Sequence, residues 1–375
     1  MTGRLRIAVF GVGRRGREHL ATIAALSDRF ELAAISDLSE TAVTATAAVA
    51  RVSAYMDPAE LFRREKVDAV VIATPPDTHH LLAELAADAG VHMLVETPLA
   101  LTCAMMDDLI ECVARAGVKA EAGENMWRRP SERLAKQAVE AGLIGKVLRI
   151  SSYYDDAAEN CPYHTMSRMR IYAGADVTEV RAYARTFSGI APIRKENETV
   201  TEETWTQAEL TFANGIVGSC TYVTNWTRPL RAGHPRHFSI EGTTGYIVTG
   251  LGSPNVLHRV EDGGGVDYPL QIETHRVGDV DVPVRFFFAT DPPIELMNPF
   301  SDRVLDHGTS ADGISRAVEL DSLYQAITAN AEPAYSLAEA RRDQELAILI
   351  SEAACACEPL VVSRQGETSG ASPRA

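Results

Sequence analysis

Six consecutive residues, Gly11-Val12-Gly13-Arg14-Arg15-Gly16, carry the most specific chemical signal in the chain. Their spacing, G-x-G-x-x-G, suits a backbone that must lie against two phosphates. Gly11 permits a tight turn, Gly13 lets the main chain approach a pyrophosphate, and Gly16 lets a helix pack closely on a strand. A helix opening here offers free N–H groups and the positive end of its dipole to the anion. Asp37 follows Gly16 by 21 residues, near the ~20 expected of an acid that accepts from a ribose hydroxyl. A carboxylate there favours NAD over NADP, because it accepts from a 2′-hydroxyl and repels a 2′-phosphate. Arg14 and Arg15 either reach a phosphate or form a solvated helix start.

Hydrophobic periodicity supplies the elements that must position these residues. "RIAVF" (6–10) is a short apolar strand that runs straight into the glycines, and Leu20, Ile23, Ala24 and Leu26 recur at helical spacing after them. "ELAAIS" (31–36) is a second strand ending at Asp37, followed by a helix from about Ser39, an N-cap, to Ala50. A short helix over "DPAELFRREKV" leads to "DAVVIA" (68–73), apolar after its first residue as a strand covered on both faces should be. A helix closed by Gly90, the strand "HMLVE", another helix ending at a glycine and the strand "VKAEAG" complete the series. Alternation of this kind predicts βαβ units and a parallel, doubly wound sheet, an α/β Rossmann domain over residues 1–122. After residue 122 an amphipathic helix gives way to alternating strands at 146–154, 177–187, 203–212, 215–224, 236–242 and 245–250, with a hairpin at "FANG" (212–215). A C-terminal α+β domain with a large, open, mostly antiparallel sheet is expected over 123–361. Two helices close it, and 362–375 form a disordered tail.

The charge balance, 36 basic against 51 acidic residues for a net −15, argues against nucleic acid or anionic membrane as partner. No apolar run approaches the ~20 residues of a membrane helix. The chain enters its first strand within a few residues of Met1, which leaves no room for a signal peptide, so a cytoplasmic protein is expected. Its six cysteines show no C-x-x-C pair and read as reduced core thiols. The ten histidines form no ligand-spaced cluster beyond the adjacent His79-His80, so no metal site is expected.

Several stretches together resemble the Gfo/Idh/MocA oxidoreductases, the family of glucose–fructose oxidoreductase and inositol dehydrogenase. They are "RIAVFGVGRRG", "VVIATPPDTHH" (70–80), "HMLVETPLALT" (92–102), "AGVKAEAGENMWRRP" (116–130), "GLIGKVLRIS" (142–151), "FSIEGTTGYI" (238–247) and "EPAYSLAEARRDQELAILISEA" (332–353). The resemblance implies a Rossmann domain that binds NAD or NADP, followed by an α/β domain whose open sheet carries subunit contacts in a homodimer or homotetramer. It implies that Thr74, Pro75 and His79 match the T-P-x-x-x-H loop beside the nicotinamide ribose, His79 being otherwise a helix-start residue. It also places Glu96 near the cofactor and Asn125 in the segment facing the nicotinamide.

Two departures from the family pattern bear on chemistry. Thr97 stands where the family has the lysine that helps move a proton to or from the substrate hydroxyl, and a threonine hydroxyl does not ionise near neutral pH, so it can only orient. The family's aspartate four residues before a histidine is matched by Asn160 and His164. His164 is then the one conventional acid/base left in the set, with Tyr163 beside it as a further donor; its alternative role is to satisfy a helix start. The resemblance alone implies a sugar, cyclitol or related polyol as substrate. Three readings stay open: an NAD-dependent oxidoreductase with atypical proton handling, a redox-neutral enzyme that uses bound NAD transiently, and a non-catalytic dinucleotide-binding regulator or partner.

Overall fold

The run Leu5–Phe10 forms strand β1, and the chain then alternates as the apolar spacing requires: α1 (Arg14–Ala25), β2 (Phe30–Ser36), α2 (Glu40–Ala50), β3 (Ser53–Tyr55), α3 (Pro58–Arg64), β4 (Ala69–Ile72), α4 (Pro76–Asp88), β5 (His92–Glu96), α5 (Cys103–Ala116) and β6 (Ala120–Gly123). The computed structural model describes residues 3–153, 162–195, 198–223, 237–250, 255–305, 311–356 and 360–361. All six strands pair in parallel in the order β3-β2-β1-β4-β5-β6. The central strands are buried along their length, Ile7, Val9, Val70, Val71 and Leu94 having no exposed surface, which is why they read as unbroken apolar runs. β3 has no such signature; it is three residues long, largely exposed and at the sheet edge.

Local chemistry sets the helix ends. Ser39 and Thr102 accept backbone N–H bonds as N-caps of α2 and α5, and Asp57 caps α3 ahead of Pro58. Gly117 closes α5 at φ +68°, a conformation a residue with a Cβ adopts only at a cost.

The chain forms two compact units: Met1–Ala141 with Asn255–Leu257 and Asp267–Glu345, and Gly142–Pro254 with His258–Val266 and Leu346–Ala375. In the first unit the Rossmann sheet is joined by α6 (Pro130–Glu140). The second unit begins with β7 (Val147–Tyr153), α7 (Tyr163–Ala173), β8 (Val177–Lys195), β9 (Glu198–Phe212), β10 (Val217–Val223), β11 (His237–Gly242) and β12 (Gly245–Thr249). With β13 (Val256–Glu261), β14 (Gly264–Pro269) and the late β18 (Leu360–Val361), these strands make a nine-stranded sheet ordered β14-β13-β12-β11-β7-β10-β9-β8-β18. Its pairs are antiparallel apart from β7 with β10 among those with a defined register. The chain then returns to the first unit with a three-stranded sheet, β15 (Gln271–Val277), β16 (Val280–Phe288) and β17 (Ile294–Met297), and helix α8 (Ala311–Thr328); α9 (Leu337–Ala356) follows. The strands β13 to β17 had no counterpart in the sequence reading. Residues 362–375, expected to be a disordered tail, lie outside the described residues.

Within the second unit, Phe238 is fully buried between the Tyr172 ring, at 5.7 Å, and the Arg168 guanidinium, 3.8 Å over its face. Truncating it removes buried aromatic area and the ring face beneath the Arg168 guanidinium. Phe238→Ala is expected to destabilise the unit by about 3–5 kcal/mol, read as a lower urea midpoint; an unchanged midpoint would refute this packing.

Candidate dinucleotide site

Parallel pairing puts the C-terminal ends of β1, β2, β4, β5 and β6 on one edge of the Rossmann sheet. That edge carries the glycine loop after β1, Asp37 after β2, Thr74 and Pro75 after β4, Glu96 and Thr97 at the end of β5, and Asn125 after β6. Strand order reverses between β1 and β4, and the crevice at such a switch point is where open α/β sheets bind ligands.

The three glycines differ in what surrounds them. Gly11 lies at φ +86°, and a Cβ there would come within 2.6 Å of the Ala73 carbonyl oxygen. A Cβ on Gly16 would overlap the Gly11 carbonyl oxygen, so the start of α1 rests directly on the turn. Gly13 is the N-cap of α1 and has open space on its Cβ side. No side chain caps this helix, and its first turn holds no acidic residue. Its N-terminal amides are therefore left for an anion.

Asp37 is pinned by two main-chain donors: its Oδ2 accepts from Val12 N–H at 2.7 Å and its Oδ1 from Ser39 N–H at 2.8 Å. The acid thus fixes the glycine loop while each oxygen keeps a lone pair for another donor. Arg14 reaches out to Glu18 at 2.7 Å, largely exposed, whereas Arg15 turns inward.

Arg15 Nε contacts Glu96 Oε1 at 3.0 Å, and the same oxygen lies 2.5 Å from His19 Nε2. Burial alone would raise the Glu96 carboxyl, but the Arg15 guanidinium and the His19 hydrogen bond hold it at about 2. Burial lowers His19, which as a neutral ring donates its Nε2–H to the carboxylate. His79 is almost fully buried and bridges two turns, its Nδ1 facing the Pro98 carbonyl and its Nε2 the Thr74 carbonyl, both at 2.8 Å. It staples the loop after β4 to the Glu96-Thr97-Pro98 turn. Thr74 Oγ1 accepts from Thr78 Oγ1 at 2.7 Å. Thr97 is half-buried and Asn125 buried; Gly123 lets the backbones of β5 and β6 approach, its Cβ position lying 3.1 Å from Glu96 Cα.

Tyr163 and His164 belong to the second unit, where they open helix α7 with their rings 4.4 Å apart; Tyr163 is buried and the His164 carbonyl accepts from Ser167. Asn160 lies outside the described residues.

Sequence reasoning missed the buried charges behind this edge. His19 carries a local signal, since it follows Arg15 by one helical turn and so shares its face. Glu319, on α8, carries none. It is fully buried, and an atom of its carboxyl lies within 4.8 Å of both the Glu96 and the His19 donors. Nearby, the Arg128–Glu121 pair is buried too, and Glu121 also accepts from Ser322 and from the Tyr335 amide. Metal-type donors also gather at His80, Glu84 and Asp108 on the surface; none of these groupings was anticipated, and each includes a residue from a distant part of the chain.

Gly16→Ala and Gly13→Ala separate the packing and ligand roles of the loop. Gly16→Ala should cost about 1–3 kcal/mol, as overpacking does, while Gly13→Ala should leave the melting temperature of the ligand-free protein unchanged. Equal melting temperatures for the two variants would refute the assignment.

Residues 5–124 match the sequence model described as an oxidoreductase family with an NAD-binding Rossmann fold, Gfo/Idh/MocA. The myo-inositol 2-dehydrogenase of Thermotoga maritima is 38% identical over 151 residues, which are 40% of this chain and 45% of that protein. The scyllo-inositol 2-dehydrogenase (NAD(+)) of Bacillus subtilis is 26% identical over 265 residues, 67% of this chain and 75% of the relative. The chain thus spans about half the length of the first of these relatives. An NAD binding oxidoreductase from Klebsiella pneumoniae shares the fold over nearly its whole length, with TM-score 0.74 at 21% identity, covering 97% of this chain and 100% of that one. Residues 5–124, which hold the glycine loop and Asp37, are thus similar to the Gfo/Idh/MocA oxidoreductases with an NAD-binding Rossmann fold.

Proposed function

We propose that this chain is an NAD-dependent oxidoreductase acting on a CH–OH group of a sugar, cyclitol or related polyol. The observation that carries the reading is the uncapped N-terminus of α1 with open space at Gly13, beside an Asp37 held against the glycine loop. Those residues fit a dinucleotide. A bound NAD would supply the hydride acceptor for the carbinol carbon. The amides at the start of α1 would hold its pyrophosphate, and the Asp37 oxygens would accept from its adenosine ribose. The relatives named as inositol dehydrogenases support the substrate class.

The hydroxyl proton needs an acceptor, and Thr97 cannot be one. We assign that role to His164, with Tyr163 beside it and Thr97 orienting the substrate; the family pattern and the place of both rings at the start of α7 support this. A second reading, redox-neutral chemistry on transiently used NAD, is favoured by the absence of an ionisable group at Thr97. A homo-oligomer through the nine-stranded sheet is supported by the exposed Tyr183, Phe187 and Tyr246 on its strands. Among the described residues no helix is long and apolar enough to cross a membrane, which suits the cytoplasmic location we propose.

Calorimetric titration should show NAD binding more tightly than NADP, and Asp37→Ala should narrow the gap; equal or reversed wild-type affinities would overturn the cofactor assignment. A panel of polyols, followed by NADH absorbance, should reveal one oxidised substrate. On it His164→Ala should lower turnover by about 100- to 10,000-fold with NAD affinity nearly intact. Wild-type turnover in that variant would place the proton acceptor elsewhere. NAD found tightly held after denaturation, with no oxidised polyol, would favour the redox-neutral reading.

A further inference from the structure

Behind the candidate site lies a group that the proposed reaction does not use. Glu319 is fully buried on α8, and neither of its carboxyl oxygens has a hydrogen-bond partner among the described residues. The charges acting on it come from four elements: Arg15 on α1, Glu96 on β5, Glu121 on β6, and Arg128 in the segment before α6. His19 on α1 is the remaining titratable neighbour. Arg15 already pairs with Glu96, and Arg128 pairs with Glu121 through Nη2, its Nε and Nη1 having no hydrogen-bond partner among the described residues, so each guanidinium charge already faces one carboxylate. On Glu319's own helix Arg316 reaches Glu18, 3.4 Å away. An ionised Glu319 would thus be an odd buried negative charge beside Glu96, and a buried charge without a partner is neutralised by a proton. A metal ion is the other way to supply positive charge, and the Glu96 Oε1 and His19 Nε2 atoms are already engaged with each other.

We propose that Glu319 is a positioning residue of the dinucleotide half-site: a neutral carboxylic acid at working pH, whose ionisation repels Glu96 and loosens the Arg15–Glu96 contact between the glycine-loop helix and the Glu96-Thr97-Pro98 turn. The proposal rests on reading the glycine loop as the NAD site. Burial first, and then the Glu96 and Glu121 charges, push the Glu319 carboxyl up to about 8 against the pull of Arg128 and Arg15. The sign follows. The folded chain keeps a proton that the unfolded chain has lost above its ordinary carboxylate value, so stability falls as pH rises from that value through about 8. NAD affinity should fall at the upper end of the same window.

The test compares wild type with Glu319→Gln, which keeps the shape and removes the titration. Between about pH 6 and about pH 9, the melting temperature of ligand-free wild type should drop by more than that of Glu319→Gln. Over the same range the wild-type dissociation constant for NAD should rise about tenfold, one pH unit beyond the titration, and that of Glu319→Gln should stay flat. Parallel melting curves, or the same NAD weakening in both proteins, would overturn the proposal. If Glu319→Gln fails to fold, infrared difference spectra of wild type decide the matter: a protonated-carboxyl C=O band should be present at about pH 6 and lost by about pH 9, and no such band would overturn it. A melting temperature raised by added Zn²⁺ and lowered by chelator would replace the proton with a metal ion and overturn it too. If wild type binds no NAD at the lower pH, the functional reading fails, while the melting and infrared measurements still report on the proton of Glu319.

Discussion

The contact between Arg15, Glu96 and His19 is the constraint around which the first unit is arranged. It joins the opening turn of α1 to the last residue of β5 through one buried carboxylate oxygen. A buried charge of this kind is tolerated only with its partners in place, and removing one of them leaves a penalty of several kcal/mol. The glycine loop and the Glu96-Thr97-Pro98 turn, which lie on opposite sides of β4, are therefore fixed relative to each other. His79 adds a second tie between the loop after β4 and Pro98. Because the folded Glu96 carboxyl is held far below its ordinary value, the stability it contributes is present at neutral pH and disappears only as pH falls through about 2.

Thr97 gains its significance from this arrangement. It follows the braced glutamate directly, so the turn that presents it is rigid even though the side chain is short and uncharged. Asp37 acts similarly at the other end of the edge, since the carboxylate proposed to select the cofactor also holds the Val12 amide. Selectivity and loop order are thus two effects of one side chain.

Short-range patterns made the Rossmann half legible. Gly11, Gly13 and Gly16 sit in the structure as turn, open N-cap and close-packed helix start, and Gly117 closes α5 as the sequence suggested. Strand β3, three exposed residues at an edge, lacked the apolar run that revealed its neighbours. β14 and β15 were invisible because they are largely exposed and carry no clean alternation, whereas β16, with Val282, Phe286 and Phe288 buried, carried an apolar signal that was missed. The partners of Glu96 illustrate a deeper limit. Arg15 and His19 share one helix face and were within reach of a periodicity argument, whereas Glu319 lies more than two hundred residues away and only the fold brings it close. For the proposed proton acceptor, the family pattern supplied His164, and Tyr163 was read from its place beside it; both lie in the first turn of α7, and Asn160 lies outside the described residues.

The first unit is discontinuous in sequence, and this shapes how the chain can be made. Glu121, at the heart of β6, is satisfied by Arg128 close by but also by Ser322 and the amide of Tyr335. α8, which bears Asp312, Arg316 and Glu319, packs against α1 and β6. On a ribosome, residues up to Ala141 emerge with these sockets still open, and the segments that fill them are synthesised only after strands β7 to β14. The nascent Rossmann half must therefore wait with buried-type polar groups exposed to water, and its closure is a late, long-range event of the slow kind that high sequence separation imposes.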